Sequence, residues 1–480
     1  MDKFALVIFG ITSNLAQIKL IPALYDMAED KSLPKGLTVL GISRKPMSKD
    51  ELRNYLWAVL NLENYHHKHE IKKDVFEKLV PRFHHLAGEV SDPNLFKKLA
   101  EFFELESKKG FDCYNRMYYL ATYPNLYKSI FDGLKSNRLD EQRLGWVRLL
   151  IEKPIGGDLK SAKKLNQLLD SYFDESQIYR LDHYLGKETL QNILAFRFGN
   201  GVFSPLVNRR FVDHIQVTAS ESFGIGKRGG YYDPTGAFVD VGQNHILQMI
   251  AFAAMGAPRE FSNAAVTRER IEFIKKLRPM PRSLVLGQYE GYTKEEHVDP
   301  KSKTDTFFSF KTELMGGKLA GVPIYVRAGK ALSQTVTEVA IVFKNPASRL
   351  FGHLEGGLRP NILIYRIQPN EGIILQILSK KPGHKIKLVP SFMQFCYRHL
   401  PGDLIDPYER LIYDAMEGDQ TFFNDAAEVE AEWRFVDAIS KGKREPVIYR
   451  KGSWGPKEAN RIIEADGRKW LTPSMDFCKI

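Results

Sequence analysis

Cysteine is scarce in this chain: Cys113, Cys396 and Cys478 are its three, far apart and without a CxxC pair. That spacing points to neither a zinc site nor a disulfide framework, and it fits a reducing compartment. Long apolar runs are missing too. The opening stretch MDKFALVIFG reaches a glycine after a short apolar segment, too short for a signal peptide or a membrane span. A cytoplasmic protein with no membrane partner is therefore expected. There is no G-x-S-x-G elbow, H-E-x-x-H pair or Walker loop, which removes the commonest hydrolase, zinc-protease and NTPase signatures. HHKH, from His66 to His69, has no spaced carboxylate or cysteine partner, so it reads as an exposed loop and no metal is expected.

What is present is ordinary in amount and informative in order. Hydrophobic residues make up 43% and charged residues 26% of 480, enough for a sizeable core without metal or crosslinks, and the length suits two domains. The net charge of +11 asks for an anionic partner. The lysines and arginines are scattered among 58 acidic residues, and the densest basic stretch, KKPGHKIK from Lys380 to Lys387, is short and interrupted. It reads as a solvated hairpin, which favours small phosphorylated molecules over nucleic acid.

Strand and helix patterns alternate over the first 175 or so residues. An apolar run from Ala5 to Phe9 ends at Gly10, and apolar residues then recur at helical spacing from Leu15 to Asp30. Strands are expected at 37–42, 82–87, 117–121 and 147–151, with Ser48 capping a helix after the second. This is the pattern of a Rossmann-type, doubly wound parallel sheet of the α/β class. Beyond Lys187, strand-like runs at 214–219, 306–314, 322–327, 336–343 and 362–368 have few helices between them, and helices return at 249–255 and 427–439. A larger α+β domain with a mostly antiparallel sheet is expected there. We place the domains at 1–177 and 178–480.

Several segments carry chemistry. The turn GITSNLA, from Gly10 to Ala16, lies where such a fold cradles a pyrophosphate on backbone N–H groups and a helix N-terminus. Only one of the usual three glycines is there, so an ordinary strand-to-helix turn reads the same way. The second strand ends in Arg44 and Lys45 with no carboxylate to hold ribose hydroxyls, which favours NADP, with NAD as the poorer alternative; an exposed basic loop fits equally. RLDHYLGKE, from Arg180 to Glu188, packs an acid, an imidazole, a phenol and an ammonium into nine residues. It suits an anion clamp of His183, Tyr184 and Lys187, or a polar turn before a helix. In GAFVDVGQNHILQ, from Gly236 to Gln248, His245 follows Asp240 by five residues. A histidine held in one tautomer by an aspartate can take a hydroxyl proton, but spacing alone does not pair it with any carboxylate.

Six ordered segments resemble glucose-6-phosphate dehydrogenase: EKPIGGDLKSA (152–162), RLDHYLGKE, RGGYYDPTGA (228–237), QNHILQ (243–248), QPNEGI (368–373) and DPYERLIYDAMEGD (406–419). The resemblance implies oxidation of glucose 6-phosphate at C1 to the 6-phospho-lactone, the first oxidative step of the pentose phosphate pathway. It also implies a homodimer or homotetramer formed through the second domain's sheet. By that resemblance His245 is the base and Asp182 orients it. His183, Tyr184 and Lys187 hold the 6-phosphate, Glu221 and Asp240 bond the sugar hydroxyls, Lys153 reaches substrate and cofactor, and Lys330 adds a substrate contact. NADP would run along Gly10, Thr12, Ser13, Asn14, Leu15 and Gln17, then Arg44, the backbone at Glu89 and Val90, Tyr119 and Lys153. The chain departs from the family pattern at Ser13, Asn14 and Gln17, where glycine, aspartate and lysine are usual, and at Val239 and Thr335, where basic residues are usual; Leu15 and Lys19 match. The altered turn leaves an alternative, a catalytically weakened paralogue that binds NADP or sugar phosphate as a sensor.

Overall fold

The computed structural model describes residues 3–62, 70–108, 115–142, 145–346, 350–351, 358–400, 402, 404–442 and 444–479. Cys113 and the His66–His69 cluster lie outside the described residues. The chain divides into two compact units. The first comprises residues 1–156, 160–186 and 405–426, and the second comprises 157–159, 187–404 and 427–480.

Unit 1 is built on six parallel strands: β1 (Phe4–Phe9), β2 (Leu37–Ser43), β3 (Phe83–Ala87), β4 (Asn115–Leu120), β5 (Val147–Ile151) and β6 (Ile178–Arg180). Their spatial order, β3-β2-β1-β4-β5-β6, is that of a dinucleotide-binding sheet. β1, FALVIF, is buried along its whole length, as a central parallel strand covered on both faces must be. Between β2 and β3, the helix Lys49–Leu60 starts where expected. Ser48 Oγ accepts from Glu51 N while the Glu51 carboxylate accepts from Ser48 N, a reciprocal cap. The segment 405–426 contributes the helix Pro407–Glu417, which Asp406 caps through Tyr408 N at 2.8 Å.

Unit 2 holds a nine-stranded sheet. In chain order its strands are β7 (Val212–Ser220), β8 (Val285–Tyr289), β9 (Phe307–Glu313), β10 (Pro323–Gly329), β11 (Val336–Phe343), β12 (Ile362–Gln368), β13 (Gly372–Lys380), β14 (Leu388–Cys396) and β15 (Val447–Tyr449). The spatial order is β14-β13-β12-β11-β7-β10-β9-β8-β15. Pairing is mostly antiparallel, as expected, with β7–β10 and β8–β15 the parallel exceptions. The basic stretch 380–387 spans the hairpin between β13 and β14, closed by Lys381 N donating to Lys387 O at 2.8 Å. Among the described residues no helix is long and apolar enough to cross a membrane.

One expectation is overturned. Cys396 and Cys478 form a disulfide with Cα atoms 5.4 Å apart, although 82 positions separate them. The C-terminal segment explains it, because it crosses the sheet from β7 outward. Lys469 O accepts from Gln216, Leu471 O from Arg327, Ser474 O from Arg366, and Phe477 packs on Phe392 of β14 at 4.9 Å. Leu471 and Phe477 lie against an apolar cluster of Ala340, Ile362, Ile364 and Ile374. The crosslink fastens the end of this strap to the last residue of β14, a long-range juxtaposition that spacing in sequence does not reveal.

Closing so long a loop stabilises by roughly 4 kcal/mol in chain-entropy accounting. Treatment with a phosphine reductant should therefore lower the thermal unfolding midpoint by several degrees, and Cys396→Ser should show the lowered midpoint with no further response to reductant. Equal midpoints with and without reductant would contradict this role.

Candidate active site

The candidate residues of unit 1 gather just beyond the carboxyl ends of its strands. After β1, Gly10 adopts φ +92°, and a Cβ there would stand 2.5 Å from the carbonyl oxygen of Ala121, just past β4. Only glycine fits that approach. Gly10 N and Ile11 N both donate to Ile42 O of β2, at 2.9 and 3.1 Å, and Ser13 Oγ accepts from Ala16 N at 3.1 Å to start the following helix. Thr12 and Asn14 are exposed and Leu15 is half-buried. Gln17 braces the turn: its amide nitrogen donates to Thr12 O at 3.2 Å, and its side chain meets the Tyr55 hydroxyl, which donates to Ile11 O at 2.8 Å. The turn is thus held by side chains where the family's usual residues differ.

Arg44 and Lys45 follow β2, both exposed. Gly88 N donates to Ser43 O at 3.0 Å, which places Glu89 and Val90 beside the β2 end. Tyr119 of β4 is fully buried, and its hydroxyl donates to Glu152 Oε1 at 2.5 Å. Glu152 follows β5 directly and Lys153 follows it. Burial pushes the Glu152 carboxyl up to about 7 against the pull of Tyr119 and Lys153. Beyond β6, Asp182 is 2% exposed; its Oδ1 accepts from Tyr184 N at 2.9 Å and its carbonyl from Leu185 N at 2.9 Å, which closes a tight turn. His183 projects from that turn with its ring edge-on to Tyr184 at 4.9 Å and parallel to the Tyr408 ring at 6.3 Å. An exposed cation after β2, a glycine cradle after β1 and a helix start between them fit a phosphorylated dinucleotide.

In unit 2 the parallel pair β7–β10 brings Ser220 opposite Gly329, so the next residues, Glu221 and Lys330, emerge side by side and form an ion pair. Lys330 is 7% exposed, with its ammonium 5.5 Å from the Tyr232 ring centroid and 5.6 Å from that of Phe223. The Tyr232 phenol is buried, and burial, then the carboxylates of Asp305, Asp240 and Glu221, hold it well above its ordinary pKa. Asp240 and His245 share a π-helical segment, Phe238–Ile246, a wide turn of the kind that recurs at functional sites. His245 is 2% exposed. Lys187 stands just before the helix Glu188–Gly199, and its ammonium donates to Gln368 Oε1 at 2.6 Å at the end of β12. Thr335 Oγ1 accepts from Ser222 N at 2.9 Å, and Val239 lies half-buried on the π-helical segment.

Two supporting carboxylates escaped the sequence reading. Glu152 opens the segment EKPIGGDLKSA, and its signal in the sequence is an acid closing the apolar strand VRLLI. Glu432, 0% exposed, accepts from Gln243 Nε2 at 3.0 Å and Gln248 Nε2 at 2.8 Å, on either side of His245. No spacing rule links it to them.

Two family models match: "Glucose-6-phosphate dehydrogenase, NAD binding domain" over residues 7–192 and "Glucose-6-phosphate dehydrogenase, C-terminal domain" over 194–471. The chain belongs to the glucose-6-phosphate dehydrogenase family. It is 38% identical to a glucose-6-phosphate 1-dehydrogenase of Aggregatibacter actinomycetemcomitans, over 98% of each chain, and 36% identical to one of Chlamydia muridarum, over 97% of this chain and 96% of that one. Among solved structures, a glucose-6-phosphate 1-dehydrogenase of Mycobacterium avium matches with a TM-score of 0.86 and 32% identity, over 98% of this chain and 100% of the other. A glucose-6-phosphate dehydrogenase in complex with glucose 6-phosphate matches with a TM-score of 0.89 and 29% identity, over 98% and 99%.

Gly10→Ala forces both the positive φ and the 2.5 Å approach to Ala121. It should cost about 2 kcal/mol or more of stability and weaken dinucleotide binding. Thermal unfolding and cofactor titration by protein fluorescence check this; a parent-like variant would show that the turn does not need its glycine.

Proposed function

We propose that this protein oxidises D-glucose 6-phosphate at C1 to 6-phospho-D-glucono-1,5-lactone with NADP as oxidant, the first oxidative step of the pentose phosphate pathway. The support that counts most is the family match across both units, joined to the acid, imidazole and basic groups standing beyond the strand ends. His245 takes the proton of the C1 hydroxyl while the C1 hydrogen departs with its electron pair, so the C1–O bond becomes the lactone carbonyl and the imidazole leaves charged. Asp182 has the orienting role. His183, Tyr184 and Lys187 bind the 6-phosphate, Glu221 and Asp240 accept from sugar hydroxyls, and Lys330, anchored by Glu221, adds a substrate contact.

NADP, when bound, supplies the hydride acceptor. Gly10, Thr12, Ser13, Asn14, Leu15 and Gln17 would hold its pyrophosphate, and Arg44 its 2′-phosphate through a planar bidentate fork. Glu89, Val90, Tyr119 and Lys153 would line the rest. Residues 1–177 then serve as the cofactor domain and 178–480 as the substrate domain, except that 178–186, which include β6, and 405–426 belong with the first unit. Exposed Phe392 and Met393 on the edge strand β14, 49% and 60% accessible, support self-association through this sheet into a homodimer or homotetramer. A cytoplasmic location belongs to the same proposal.

Purified protein given glucose 6-phosphate and NADP should generate NADPH absorbance, at roughly 1–1,000 turnovers per second. His245→Asn should lose about two to four decades in kcat. Arg44→Ala should raise the KM for NADP about tenfold to a hundredfold and leave that for NAD nearly unchanged. Thermal stabilisation by both ligands without any NADPH would move the protein to the sensor reading.

A further inference from the structure

Three phenols of unit 1 converge on one glutamate. Tyr119 of β4 donates its hydroxyl to Glu152 Oε1 at 2.5 Å, and Tyr408, from the helix Pro407–Glu417, makes a second side-chain hydrogen bond to the same carboxyl. Tyr127, opening the helix Tyr127–Ser136, meets the Glu152 backbone N–H. Tyr119 is 0%, Tyr127 1% and Tyr408 9% exposed, so both the side chain and the main chain of Glu152 are pinned from three different elements. The residue after this fixed point is Lys153. On the far side of the network Tyr408 lies parallel to His183, and Lys19 stands 5.6 Å from the Tyr408 ring centroid and 3.4 Å from Asp406, the cap of the same helix.

We propose that Glu152 is a positioning residue for the oxidation: by holding the hydroxyls of Tyr119 and Tyr408 from the end of β5, it sets the aim of Lys153 on one side and of His183 on the other. This rests on the function assigned above. Glu152 has no part in the proton or hydride transfer itself. Two buried O–H groups need an acceptor, and a carboxylate satisfies both at once where a carboxamide oxygen would have to share. The groups facing the Glu152 carboxyl are Tyr119, Tyr408 and Asp182 from neighbouring elements and Lys153 on its own, and the like charge of Asp182 adds to burial in favouring the protonated form. A raised carboxyl means that the folded chain holds a proton the unfolded chain has released. Its contribution to stability is present below the ordinary glutamate range near 4.5 and is lost as pH rises toward about 7.

The test is Glu152→Gln in the full chain. Expected results are a kcat/KM for glucose 6-phosphate lower by about tenfold to a hundredfold, shared between a lower kcat and a raised KM because Lys153 and His183 both meet the substrate, and no further loss when Tyr408→Phe is added. The thermal midpoint of the parent should fall from pH 5 to pH 8 more steeply than that of the variant. A kcat/KM within twofold of the parent, or additive losses with Tyr408→Phe, would overturn the proposal. If Glu152→Gln does not fold, Tyr119→Phe and Tyr408→Phe, which keep the rings and remove the hydroxyls, should each lower kcat, and parent rates in both would overturn it. A parent that makes no NADPH sinks the assigned function instead, and the pH dependence of unfolding still tests the Glu152 environment because it needs no turnover.

Discussion

Parallel pairing brings the carboxyl ends of neighbouring strands to one edge, and in both units several of the candidate residues stand one or two residues past those ends. Gly10 follows β1, Arg44 follows β2, Glu152 and Lys153 follow β5, and Asp182 lies two residues past β6. Unit 2 repeats the rule on a single parallel pair. Ser220 and Gly329 are in register, so Glu221 and Lys330 leave the sheet together and meet as an ion pair. An antiparallel partner in place of β10 would have sent Lys330 to the opposite edge. This one parallel pairing, β7 with β10, therefore matters to unit 2 out of proportion to its number.

Environment then gives each group its character. Lys330 keeps a partner carboxylate and two aromatic faces, which suits an ammonium withdrawn almost completely from water. Glu152 has phenols for partners, and those hydrogen bonds do not offset burial, so its carboxyl moves toward neutrality. Glu432 accepts from two carboxamides that flank His245, Gln243 on the π-helical segment and Gln248 in the helix that follows it. The three carboxylates serve as counter-ion, hydroxyl acceptor and helix brace. Residue type alone does not separate these roles; the neighbours do.

The parts legible in sequence were those written locally. A continuous apolar run followed by glycine marks β1 and its turn, and Ser48 with Glu51 three residues on marks a helix start, because both depend on residues within a turn of one another. What stayed hidden is long-range. Cys396 and Cys478 meet because a strap crosses the sheet, Glu432 reaches Gln243 and Gln248 from almost 190 positions away, and Tyr408 reaches Glu152 from a segment more than 250 positions later. Sequence order holds the identities of these residues but not their adjacency, which depends on how the chain closes its sheets.

The altered phosphate turn shows how separable its requirements are. Its geometric demand rests on Gly10 alone, since only that position combines positive φ with contact against the Ala121 carbonyl. The other substitutions change how the turn is held. Ser13 supplies an oxygen to the helix start, and Gln17 ties the loop to Thr12 and Tyr55, so that hydrogen bonds do the work of holding its shape. Backbone N–H groups and the helix N-terminus attract a pyrophosphate whatever side chain stands at position 17, while charge selectivity can reside at Arg44, beyond the next strand. The residues that hold the turn's shape follow β1 and the exposed cation follows β2, so one can vary while the other stays fixed.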